Sequence, residues 1–155
     1  MKKIGIGIDY SNICKDYNTV YLDRDNTDKE TSACMTKVVD WLKAFLSEIL
    51  ETFEYKVYRM NQNSALNLDE VAHKRFLFYS LEKAIIAQTF ILQREPAFYD
   101  SLAQWSDDSQ DGLLIQNDDE GEGIFFYFNE DSKIHHWLMD KLKDFSLDEV
   151  SFEER

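Results

Sequence analysis

Strict alternation opens the chain: over residues 3–9, Ile4, Ile6 and Ile8 fall on one side of an extended segment. The spacing predicts a first strand there, and a second over 18–23 placed to hairpin with it. Thr27 and Glu30 then have capping-box spacing. Behind them Val38, Trp41, Leu42, Phe45, Ile49 and Phe53 recur at helical intervals, which predicts an amphipathic helix. A third strand is expected over 55–60. Asn67 with Glu70 repeats the capping spacing and opens a second long helix reaching about Gln93. That helix is apolar around much of its circumference from Phe76 through Leu92, the pattern of a core-central or partner-covered element. Pro96 suits the first turn of a short third helix carrying Phe98, Leu102 and Trp105.

The last third changes character. Segments 113–115 and 124–128 are strand-like and are joined by a glycine-containing hairpin loop over 118–123. Ser132 can cap a C-terminal helix whose one side is Ile134, Trp137, Leu138, Leu142 and Phe145. From about residue 146 an acidic, frayed tail is expected. The order ββαβααββα has no regular βαβ repeat. It predicts an α+β fold with a mixed or antiparallel sheet of about five strands. Packed with the sheet would be two long helices, one short helix and the C-terminal helix. No internal boundary is visible, so 1–155 is read as a single domain.

Composition agrees with a folded core: 44% of the 155 residues are hydrophobic and 14% aromatic. Cys14 and Cys34 stand twenty positions apart without a CxxC spacing, the usage of reduced thiols in a cytoplasmic protein. The apolar run behind Met1-Lys2-Lys3 ends at Asp9, too short for a signal-peptide core. No window approaches the roughly 18 apolar residues of a spanning helix, so no membrane partner is expected.

Charge changes the picture most. The net charge of −13 repels a phosphate backbone and attracts basic proteins, so direct nucleic-acid binding is not expected and a basic partner is. Between Arg94 and Lys133 there is no Lys or Arg. Within that stretch Asp107, Asp108, Asp111, Asp118, Asp119, Glu120 and Glu122 form a candidate docking face, with Trp105 and Tyr127 as aromatic anchors beside it. Solvated loops are the plainer reading of the same residues. Calcium chelation is disfavoured because the spacing misses the EF-hand pattern. The expected function is an acidic binding or inhibitor protein of the toxin-immunity or nucleic-acid-mimic type. Its partner would be a nuclease toxin or another nucleic-acid-binding protein, occluded without any cofactor. A third possibility is an oligomeric scaffold joined through the apolar second helix.

Two segments carry catalytic resemblances. Val20-Tyr-Leu-Asp-Arg-Asp-Asn-Thr27 resembles the first motif of haloacid-dehalogenase-like phosphatases. That resemblance implies Asp23 as nucleophile, Asp25 as general acid/base, a Mg²⁺ ion and a parallel sheet. In the family's later motifs this chain places Met60 or Asn61 where Ser or Thr is usual. Lys74 or Lys83 would take the lysine role, and Asp118 with Asp119 the late metal positions. Ile8-Asp-Tyr-Ser-Asn12 resembles the opening of PIN-like NYN ribonuclease domains, which implies Asp9 and Asn12 as metal-holding residues. His135 and His136 are adjacent on a predicted helix and point about 100° apart, so no zinc site is expected from them.

Overall fold

In the computed structural model the described residues are 2–17, 29–60, 62, 64–73, 89–96, 98–108, 112–118 and 122–152. The alternation at the start does build a strand, β1 (Lys3–Asp9). Its Asp9 side chain accepts a hydrogen bond from the Ser11 backbone N–H at 2.9 Å, turning the chain into a short 3₁₀ turn, Tyr10–Asn12. Helix α1 (Lys29–Phe53) is 25 residues long. It is followed by β2 (Lys56–Arg59), β3 (Ala65–Leu66), β4 (Thr89–Gln93), α2 (Leu102–Asp108), β5 (Leu113–Asn117), β6 (Gly123–Asn129), α3 (Lys133–Lys141) and β7 (Leu147–Ser151).

The strands form one sheet in the order β3-β2-β4-β5-β6-β1-β7, antiparallel at every pairing. The expected α+β class therefore holds, with seven strands in place of about five. Thr89–Gln93, expected as the end of a long helix, is the fully buried strand β4. Leu147–Ser151, expected as tail, is the edge strand β7. The short helix begins at Leu102, later than expected, and leaves Phe98 exposed ahead of it. The predicted strand over 18–23 and most of the predicted second helix lie outside the described residues. Asn67 and Glu70 do form the expected capping box, and it opens a 3₁₀ turn, Leu68–Glu70. Ser132 caps α3 as expected, its Oγ accepting from the His135 N–H.

Period-2 alternation gives the sheet two apolar faces. On the first, Ile6 and Ile8 of β1, Phe126 and Phe128 of β6, Leu113 and Ile115 of β5, and Phe90 and Leu92 of β4 meet the helices. Val38, Leu42, Leu46 and Ile49 of α1 and Ile134 and Leu138 of α3 complete this main core. The Phe45 and Phe126 rings meet edge to face at 5.9 Å, a favoured aromatic geometry. Cys14 and Cys34 are joined in a disulfide with Cα atoms 5.9 Å apart, which corrects the reduced-thiol reading. The 3₁₀ turn leads Cys14 to Cys34, buried in α1, in a way that spacing could not reveal. Disulfides are uncommon in reducing cytosol, so this bond removes the cysteine argument for a cytoplasmic protein. Among the described residues no helix is long and apolar enough to cross a membrane.

The second face holds a smaller core of Met60, Ile91, Tyr99, Trp105, Leu114 and Tyr127, with Val150 and Phe152 packed against it. β1 contributes Gly5 and Gly7 here. A Cβ on Gly5 would lie 2.7 Å from the Tyr127 ring and 2.8 Å from the Val150 carbonyl oxygen. Glycine is what lets the neighbouring rings lie flat across β1.

Candidate functional site

Asp118 and Glu122 sit at one end of the sheet, and local hydrogen bonds fix that end. Asp118 N–H donates to the Gly123 carbonyl at 2.8 Å and closes the β5–β6 hairpin. Tyr10 N–H donates to the Glu122 carbonyl at 2.9 Å. The Tyr10 hydroxyl, fully buried, donates to Asn117 Oδ1 at 2.6 Å. Asn12 then ties in the last strand: its Nδ2 donates to the Asp9 carbonyl at 2.9 Å, and its Oδ1 accepts from the Ser146 N–H at 3.1 Å.

This framework brings together carboxylates far apart in sequence. Asp9 pairs directly with Gly123, the residue after Glu122. Gly7 pairs with Asp148, so Asp148 shares the second face with Asp9 and lies diagonal to it, about 7–8 Å away by strand geometry. Asp9, Asp118 and Glu122 are partly exposed and Asp148 is exposed. The sheet end thus carries four described carboxylates: Asp9 on β1, Asp118 just after β5, Glu122 just before β6, and Asp148 on β7. The ion pairs Lys43–Asp69 and Lys141–Glu48, both 2.7 Å, lie on the helix-bearing side. Lys43 lowers the Asp69 carboxyl pKa by a hydrogen bond and by its charge, and the lysine is raised in turn.

The residues singled out from sequence divide into groups. Asp118 and Glu122 belong to this end. Asp9 and Asp148 were missed as members of the patch. The strand alternation that puts Asp9 at the end of β1 is the one signal that could have suggested it, whereas Asp148 depends on the β1–β7 register. Trp105 is fully buried and Tyr127 nearly so, and both pack on Phe152. Trp105 also lies under the Lys3 ammonium, 4.3 Å from ring centre to Nζ. Lys3 and Asp9 bound opposite ends of β1, about 20 Å apart at the rise of a strand, so Trp105 packs away from the hairpin loop. In the free chain these two rings build the second core. Asp107 and Asp108 end α2, next to Trp105, while Asp111, Asp119 and Glu120 lie outside the described residues.

The residues of the catalytic resemblances are described only in part. Asp23, Asp25, Asn61, Lys74 and Lys83 lie outside the described residues, and Met60 is buried in the second core. Every pairing among the described strands is antiparallel, whereas the phosphatase motif implies a parallel sheet. Asp9 and Asn12 are committed to capping and to holding Ser146. His135 Nδ1 accepts from the Asp131 N–H at 2.9 Å, and its ring packs on Phe128. Among the described residues no group of three or more His, Cys, Asp or Glu is placed to hold a metal ion. Comparison with protein-family models, with curated proteins and with solved structures found no match to this chain.

Proposed function

We propose that this chain is an acidic binding protein that neutralises a basic macromolecular partner, in the manner of an immunity protein or a nucleic-acid mimic. The observation that carries the reading is the gathering of Asp9, Asp118, Glu122 and Asp148 at one end of a four-strand array, β5-β6-β1-β7. Hydrogen bonds from Tyr10 and Asn12 hold that end rigid, so little ordering entropy is lost when a partner docks. Carboxylates brought to one end complement incoming Lys and Arg. The same field steers encounter, because the net charge of −13 acts on a cationic surface before contact. Occlusion follows when those cations are the partner's own substrate-binding groups.

The test is protection from cationic nuclease domains, each co-expressed with this chain. Co-expression should restore growth with the wild type and fail with Asp118→Lys/Glu122→Lys. Association of the purified pair should slow about tenfold or more in the variant and with added salt. Association indifferent to both charge reversal and salt would exclude this mode of action.

A further inference from the structure

Among the described residues β7 is the end strand of the sheet. One edge pairs with β1 from Ile8–Leu147 to Ile4–Ser151, and no strand lies along the other. Such an edge offers outward N–H and C=O groups to a further strand. An open groove of about 700 Å³ is lined by residues of β1, α3 and β7, Ile4, Met139, Leu147 and Val150 among them, with two acids, Glu130 and Glu149, and two bases, Lys2 and Lys3. Met139 is 43% exposed there, unusual for a large apolar side chain on this molecule.

The groove reaches both faces of the sheet. Leu147 lies opposite Ile8, on the helix side, and Val150 opposite Gly5, on the other. A strand laid against β7 would drop alternate side chains beside Leu147 and Met139 and beside Val150 and Phe152. Asp148 and Glu149 project from the edge strand into solvent. A second copy of β7 would set these acids against each other, which opposes self-pairing. A cationic strand would be matched.

We propose that the β7 edge receives, by strand addition, an extended segment of the basic partner in which apolar and cationic residues alternate. The inference rests on the reading of a basic partner and adds where its backbone is held: β7 adjoins the acidic sheet end through Asp148.

The probe is a capped octapeptide of alternating Lys and Val, compared with the same peptide N-methylated at alternate residues. The plain peptide should bind and slow amide hydrogen exchange over 147–151. N-methylation, which removes backbone donors and keeps the charge, should cost about tenfold or more in affinity, and so should Asp148→Lys/Glu149→Lys. Both exposed substitutions leave the cores untouched, and circular dichroism verifies the fold. Equal binding of the N-methylated peptide, protection of residues 118 and 122 alone, or no saturable binding would each overturn strand addition. If the peptide fails while growth rescue by the wild type persists, only this inference falls. If the peptide binds and rescue is absent, it is the neutralising role that is lost.

Discussion

The two faces of the sheet solve the same problem differently. The helix-bearing face is covered by α1 and α3, and its core is built mostly from aliphatic and phenyl side chains, from Ile6 and Phe126 to Leu42 and Leu138, with the Tyr10–Asn117 hydrogen bond at one end. The opposite face is covered by α2 and by Phe152, and mixes aromatic rings with polar groups: Lys3 over Trp105, and Gln116 Nε2 donating to Thr89 Oγ1 at 2.9 Å. Non-directional burial supports the first face, whereas fitted contacts and paired polar groups support the second. Trp105 shows the difference: its indole N–H finds no acceptor among the described residues, a cost that full burial of the ring must offset. Stability should therefore be concentrated on the helix side, and sensitivity to shape on the other.

The sharpest way to break this contrast is to truncate neighbouring rings of β6. Phe126→Ala, on the helix side, should cost about 3–5 kcal/mol in denaturant unfolding. Phe125→Ala, half-buried on the other face, should cost less than half as much. Equal losses would abolish the distinction. Next comes the disulfide, whose Cys34 belongs to the helix-side core. Cys14→Ser/Cys34→Ser should lower stability by about 3 kcal/mol, the expectation for a crosslink of this loop length. Reductant should lower the melting temperature of the wild type but not of the variant. Gly5→Ala probes shape on the second face: with the Tyr127 ring and the Val150 carbonyl in its way it should cost about 1–3 kcal/mol, by the measure of overpacked cores. A neutral outcome would mean the second face is loosely fitted.

The smallest effect is a titration. Burial, then the charge of Glu95, raises the Tyr58 phenol above its usual pKa of about 10. The neutral phenol is favoured in the folded state, so its contribution is complete below pH about 10 and is lost as pH climbs through the raised value. Tyr58→Phe should flatten the alkaline limb of the stability profile. An unchanged limb would assign that slope to other groups.

What the sequence revealed follows from how far each signal reaches. β1, α1, β5, β6 and α3 were legible because their periodicity is local and their caps, such as Ser132, lie beside them. β4 was not: its apolar run Phe90-Ile91-Leu92 is too short for its period to separate helix from strand, and only the sheet decides. β7 was hidden by Asp148 and Glu149, charges that an edge strand tolerates and that read as a tail. At the candidate site, Asp118 and Glu122 announced themselves through the cation-free stretch around them. Asp9 and Asp148 join them only through the pairing of β1 with β6 and β7. Trp105 and Tyr127 misled for the converse reason, being near the acids in sequence and turned into a core by alternation and by α2.

The position of β1 has a consequence for synthesis. Both of its neighbours, β6 and β7, come from the far end of the chain: Lys3 pairs with Asn129 and Ile4 with Ser151. A nascent chain therefore holds Ile4, Ile6 and Ile8 without either flanking strand until residues 123–129 and 147–151 have left the ribosome. Such remote pairing makes for slow folding and leaves an aggregation-prone strand waiting.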